Sequence, residues 1–119
     1  MEKVRIINKS NNTVLAYAEV ARKTFPRMRG LLGRERLSEG EGLVITPCSS
    51  VHTVGMRFPI DVIFFDKQGR IIAVTRNMKP LRISAWHPRA AGVLEVAAGT
   101  VKDLSARPGD ELVLWPVME

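Results

Sequence analysis

The chain has 119 residues, 45% of them hydrophobic and 25% charged, which suits a single folded domain spanning 1–119 and excludes a disordered chain. Lysine and arginine number 18 against 12 acids, a net charge of +6, so anionic partners come into question. The single cysteine, Cys48, excludes an internal disulfide, and no stretch approaches the roughly 18 apolar residues of a membrane-spanning helix.

Met1-Glu2-Lys3-Val4-Arg5 contains no apolar segment of signal-peptide length. The expectation is therefore cytoplasmic residence, which a lone thiol also suits. Val4 to Asn8 reads as a strand, Lys9 to Asn12 as a turn, and Thr13 to Val20 as the returning strand. In that return, Val14, Ala16, Ala18 and Val20 alternate against Leu15, Tyr17 and Glu19. Thr24 and Pro26 suit the start of a short helix, whose apolar side holds Phe25, Met28, Leu31 and Leu32 and whose end is Gly33. Six cations lie between 22 and 36 with only Glu35 opposing them. They read either as the solvated face of that helix or as a phosphate-binding cluster.

Leu43 to Thr46 is a strand ended by Pro47, and Val51 to Met56 is extended. Phe58-Pro59 interrupts the run, because proline cannot donate to a ladder. Ile60 to Phe65 is the most apolar strand, and its pattern predicts cover on both faces. Asp66-Lys67-Gln68-Gly69 predicts a turn with glycine at a positive φ, and Arg70 to Thr75 the return strand. Asn77 to Pro88 is irregular, yet Leu81, Ile83 and Trp86 predict that it packs. Val93 to Val96 is another strand, and a short helix starts at Thr100 with Asp103 three residues on. Arg107-Pro108-Gly109-Asp110 is a tight turn before the last strand, Glu111 to Trp115. The sum is a mainly β domain of about eight strands and two short helices, a sandwich or barrel.

Three stretches carry a family resemblance: Phe25 to Gly33, His52 to Asp66, and Val93 to Gly99 followed by Arg107 to Asp110. In order and spacing the chain resembles domain-of-unknown-function family 192, over about residues 22 to 115. The resemblance implies a jelly-roll-like β-sandwich and no established activity. Some relatives carry an aromatic-aromatic-methionine-lysine pattern where this chain has Val54-Gly55-Met56-Arg57.

The central run holds the candidate ligand-binding residues. If residues 57–60 turn tightly between paired strands, Met56 stands opposite Asp61 with Arg57 at the bend, and His52 shares a face with Met56. That group offers an acid, a base, a cation and a soft side chain. Equally, Asp61 can accept backbone N–H bonds at the turn and Arg57 can pair with it. Glu95 lies in an apolar strand. Buried, it needs a partner such as Arg57 or Arg82, and edge exposure is the simpler expectation. Cys48 stands four residues from His52 without a feature that lowers its pKa. Trp86 lies in a segment able to rim a pocket or plug a core. Two histidines and one cysteine are too few for a closed zinc site, so neither a structural metal nor a cofactor is expected. No phosphate loop or hydrolase elbow occurs.

Three function classes follow, in this order. The first is a small polar-ligand domain with a pocket around residues 48–61. The second is a non-catalytic protein-interaction module. The third is a nucleic-acid binder using segment 22–36. No membrane partner is expected.

Overall fold

The computed structural model describes residues 2–21, 37–54, 56–101 and 105–117. Among them are seven strands: β1 (Glu2–Asn8), β2 (Thr13–Ala21), β3 (Glu41–Ile45), β4 (Ile60–Phe65), β5 (Ile71–Met78), β6 (Gly92–Ala97) and β7 (Leu112–Pro116). They form one sheet in the order β5-β4-β6-β3-β2-β1-β7. Neighbours run antiparallel except β2 and β3, which are parallel.

The sheet curls until its two edges meet at one end. Arg70 bridges Glu111, Ile71 N–H donates to Asp110 O at 2.7 Å and Leu112 N–H donates to Gly69 O at 2.7 Å. The architecture is thus a curled half-barrel from a single sheet, and the expected two-sheet jelly-roll sandwich is corrected. The expected count of eight strands falls to seven because the stretch 51–56 contributes an isolated bridge at His52 rather than a strand. No helix occurs among the described residues. The helix expected at 24–33 and residues 102–104 of the second lie outside them, and the described Thr100 and Val101 are not helical.

Curling sorts the apolar residues into two clusters. The first draws on all seven strands, with Val4, Val20, Val44, Ile63, Ile71, Leu94 and Leu112 converging inside the curl. The second lies on the outer face, where Leu43, Ile45, Ile60, Val62, Phe64 and Val93 of the sheet pack under Leu37, Val51, Met56 and Phe58. β4 is buried along its whole length, as the apolar residues on both of its faces predict. Ile60, Ile63 and Phe64 are fully buried, each stabilising by about 1.5–3 kcal/mol.

Two local devices set register. Ile6 pairs with Ala16 and Ile7 with Val14, so Leu15 is the extra residue of a bulge. Leu15 therefore turns inward at 5% exposure while Val14 is 48% exposed, the reverse of simple alternation. In the β4–β5 turn Gly69 has φ 83°, as expected. A side chain there would also collide with the Leu112 backbone carbonyl.

Candidate functional site

Segments 46–54 and 79–91 pair with each other over the outer face of the sheet. Cys48 N–H donates to Ala91 O (3.3 Å), His87 N–H to Ser49 O (2.8 Å), Ser84 N–H to Val51 O (2.8 Å) and Thr53 N–H to Arg82 O (2.8 Å). His52 and Ile83 form an antiparallel bridge. The His87 ring lies 4.4 Å from that of Phe64, anchoring the layer to β4. The irregular stretch 77–88 is thus held by backbone hydrogen bonds, whereas Leu81, Ile83 and Trp86, from which packing was expected, are exposed.

Thr53, which sequence reasoning did not single out, fastens the layer. It is fully buried. Its Oγ1 donates to Lys79 O at 2.6 Å and accepts from Arg82 N–H at 2.9 Å. Its carbonyl accepts from Leu81 N–H at 3.2 Å. The signal available was a small polar residue inside the most distinctive run. Thr53→Val keeps the shape and leaves the Lys79 carbonyl and the Arg82 N–H unpaired. The expected loss is about 2 kcal/mol of stability, read as a lower midpoint in urea with an unchanged slope.

The pairing leaves two clefts. One, of about 390 Å³, is lined by Pro47, Cys48, Ser49, Ser50, Trp86, Pro88 and Ala90. The other, of about 320 Å³, lies between the end of β5 and segment 82–85, with Arg76, Lys79 and Arg82 in its lining. In the first, the Cys48 thiol donates to Ser50 O at 3.0 Å, while Trp86 is 70% exposed and forms one wall.

The candidate residues do not converge as one group. Cys48 and Trp86 meet at the first cleft, and Arg82 lines the second. His52 and Arg57 are exposed. Met56 is buried in the outer-face cluster. Asp61 points to the other side of the sheet, since Ile60 and Val62 beside it belong to that outer cluster while Asp61 stands opposite Val96 of the inner one. Asp61 is 1% exposed. Its Oδ1 accepts from Asn77 N–H at 2.8 Å, and its Oδ2 accepts from Gly99 N–H and Val101 N–H, both at 3.0 Å.

The expectation of edge exposure for Glu95 is corrected. Its strand, β6, lies between β4 and β3, and Glu95 is 4% exposed. Arg57 and Arg82, the cations considered as its partners, are themselves exposed. Burial pushes its carboxyl from the ordinary 4.5 up to about 7. Among the described residues no group of three or more histidine, cysteine or acidic side chains could hold a metal ion. No helix among them is long and apolar enough to cross a membrane. The arginine cluster of 22–36 lies outside the described residues.

The family model of DUF192, described as Uncharacterized ACR, matches residues 5–114. No curated protein matches the chain. Among solved structures, a protein of Sinorhizobium meliloti 1021, described provisionally as a transcription regulator, is 29% identical. That alignment covers 95% of this chain and 92% of the other, with a TM-score of 0.78. A protein of unknown function from Novosphingobium aromaticivorans DSM 12444 is 24% identical, with 93% and 83% covered and a TM-score of 0.80. The second likeness concerns the fold alone.

Proposed function

The chain belongs to the DUF192 family, and we propose that it is a small polar-ligand-binding domain whose pocket is the cleft between residues 47–50 and 86–90. The observation that carries this reading is the exposed Trp86 indole standing across a cleft of about 390 Å³ from Cys48, Ser49 and Ser50. A volume of that order lies within the usual range for small-molecule sites. An aromatic wall offers a stacking surface for a planar part of a ligand. The serine hydroxyls offer donors and acceptors that fix its orientation. The paired backbone behind the cleft is held by the Ser49, Val51 and Thr53 hydrogen bonds, so ordering it costs little on binding.

A thermal-shift screen with nucleotides, sugars and carboxylic acids tests this, with Trp86→Ala as the control. Trp86 is exposed, so its removal spares the core. A ligand at a hundred times its Kd stabilises by about 2.7 kcal/mol, a midpoint rise of roughly 10 °C in a domain this size. The rise should fall away in Trp86→Ala. A ligand that stabilises both proteins equally binds elsewhere and sinks the assignment.

A second reading, nucleic-acid binding, has the description of the Sinorhizobium relative and the net charge of +6 in its favour. Its test is titration with RNA and DNA at two salt concentrations. Binding that weakens steeply with salt supports it, and a flat response ends it.

A further inference from the structure

The paired segments 51–54 and 81–84 carry an apolar ridge on their outward side. His52 and Ile83 stand opposite one another, and Val54 and Leu81 flank that bridge two residues away on their segments. Val54 is 50% exposed, Leu81 71% and Ile83 78%, and Trp86, three residues beyond Ile83, is 70% exposed. Ile83 also borders the cleft beside the end of β5, and the Leu81 backbone is fixed at φ 64° with its N–H on Thr53 O. A contiguous apolar patch of this kind marks a contact with a partner or a membrane.

The two segments that build the ridge carry charge of one sign. Between Lys67 and Leu94 the chain has six lysines and arginines and no acid, and between Gly42 and Ile60 it has Arg57 and no acid. Arg57, Lys79, Arg82 and Arg89 are exposed in these two segments.

We propose that this ridge docks on an anionic lipid bilayer. Leu81 and Ile83 enter the boundary between headgroups and acyl chains, and Lys79 and Arg82 meet the lipid phosphates. Nucleic acid would employ the cations and the indole but leave two exposed aliphatic side chains in water. A protein groove could accept the ridge, yet nothing in that alternative calls for cations without a single acid. The sequence-based expectation of no membrane partner rested on the absence of a spanning segment, which peripheral docking does not need. The ridge does not depend on the cleft reading.

Flotation with phosphatidylcholine vesicles, with and without phosphatidylglycerol, is the test. The wild-type chain should float with the anionic vesicles alone and detach as salt rises. In a Trp115→Phe background, the emission of Trp86 should shift to the blue on binding. The double substitution Leu81→Asp, Ile83→Asp should weaken binding by about tenfold or more. Its thermal midpoint should stay put, because both side chains are exposed and aspartate tolerates a positive φ better than leucine does. No flotation at low salt overturns the proposal. So does a double variant that binds as well as the wild type, since charge alone then accounts for the attachment. A partner protein that requires Leu81 and Ile83, with vesicles ignored, would assign the ridge to that protein instead.

Discussion

Asp61→Ala is expected to lower the thermal midpoint by roughly 15 °C. The carboxylate is 1% exposed and accepts backbone N–H groups from Asn77, Gly99 and Val101. These belong to the end of β5 and the turn after β6, so one side chain ties three pieces of chain together. Alanine leaves three donors without an acceptor, each costing about 1–3 kcal/mol. A sum of about 4 kcal/mol is a large part of the 5–15 kcal/mol that holds a typical domain together. Asp61→Asn discriminates further. Its one carbonyl oxygen can still serve Gly99 and Val101, while its NH2 then faces the Asn77 donor. It should therefore fall between wild type and alanine. A midpoint for Asp61→Ala within about 2 °C of wild type would show that the three bonds contribute little. The same substitution is unsuited as a ligand-binding control, because loss of fold would pass for loss of ligand.

Local signals in the sequence reached most of the strands. The β4–β5 hairpin follows from an apolar run, a glycine turn and a return strand, and each of these is local. What stayed hidden depends on how strands far apart in the chain meet. The sheet order β5-β4-β6-β3-β2-β1-β7 places β6 inside the sheet, between β4 and β3, and no feature of Val93-Leu94-Glu95-Val96 announces that. The expected edge exposure of Glu95 failed for this reason. The Leu15 bulge escaped because alternation assumes an unbroken period of two. Strand count left a sandwich and a barrel both open, the family resemblance pointed to the sandwich, and a single sheet whose edges meet satisfies the same count.

The candidate site divides along the same line. His52, Met56, Arg57 and Asp61 were grouped on a tight turn at 57–60 between paired strands, and residues 51–54 and 56 form no strand. A strand sends successive side chains to opposite faces, and Asp61 accordingly parts from Met56. The pairing of 46–54 with 79–91 instead brings Cys48 to Trp86, a conjunction of segments 38 positions apart in the numbering that no motif encodes. Thr53 was overlooked because a buried threonine bonded to two backbone groups looks, in a sequence, like any strand threonine.

Glu95→Gln should stabilise the protein, and only above the acid range. Glu95 is 4% exposed on the outer face of β6, with Val62 of β4 and Leu43 of β3 as its cross-strand neighbours. Burial raises its carboxyl from 4.5 to about 7. Below pH 4.5 the group is protonated both folded and unfolded, and it costs nothing. Between pH 4.5 and 7 the unfolded chain releases the proton while the folded chain retains it, so stability falls as pH rises. Above pH 7 both forms are ionised and the loss is complete, at about 3 kcal/mol. Glutamine keeps the size and removes the ionisation, so the variant escapes that loss. The midpoints of the two proteins should nearly coincide at pH 4 and separate by roughly 10 °C at pH 8, the variant being higher. Other titrating groups are common to both chains, so the difference between the two curves isolates residue 95. A gap that is the same at both pH values would mean that Glu95 ionises freely in the folded protein and that its carboxyl reaches water.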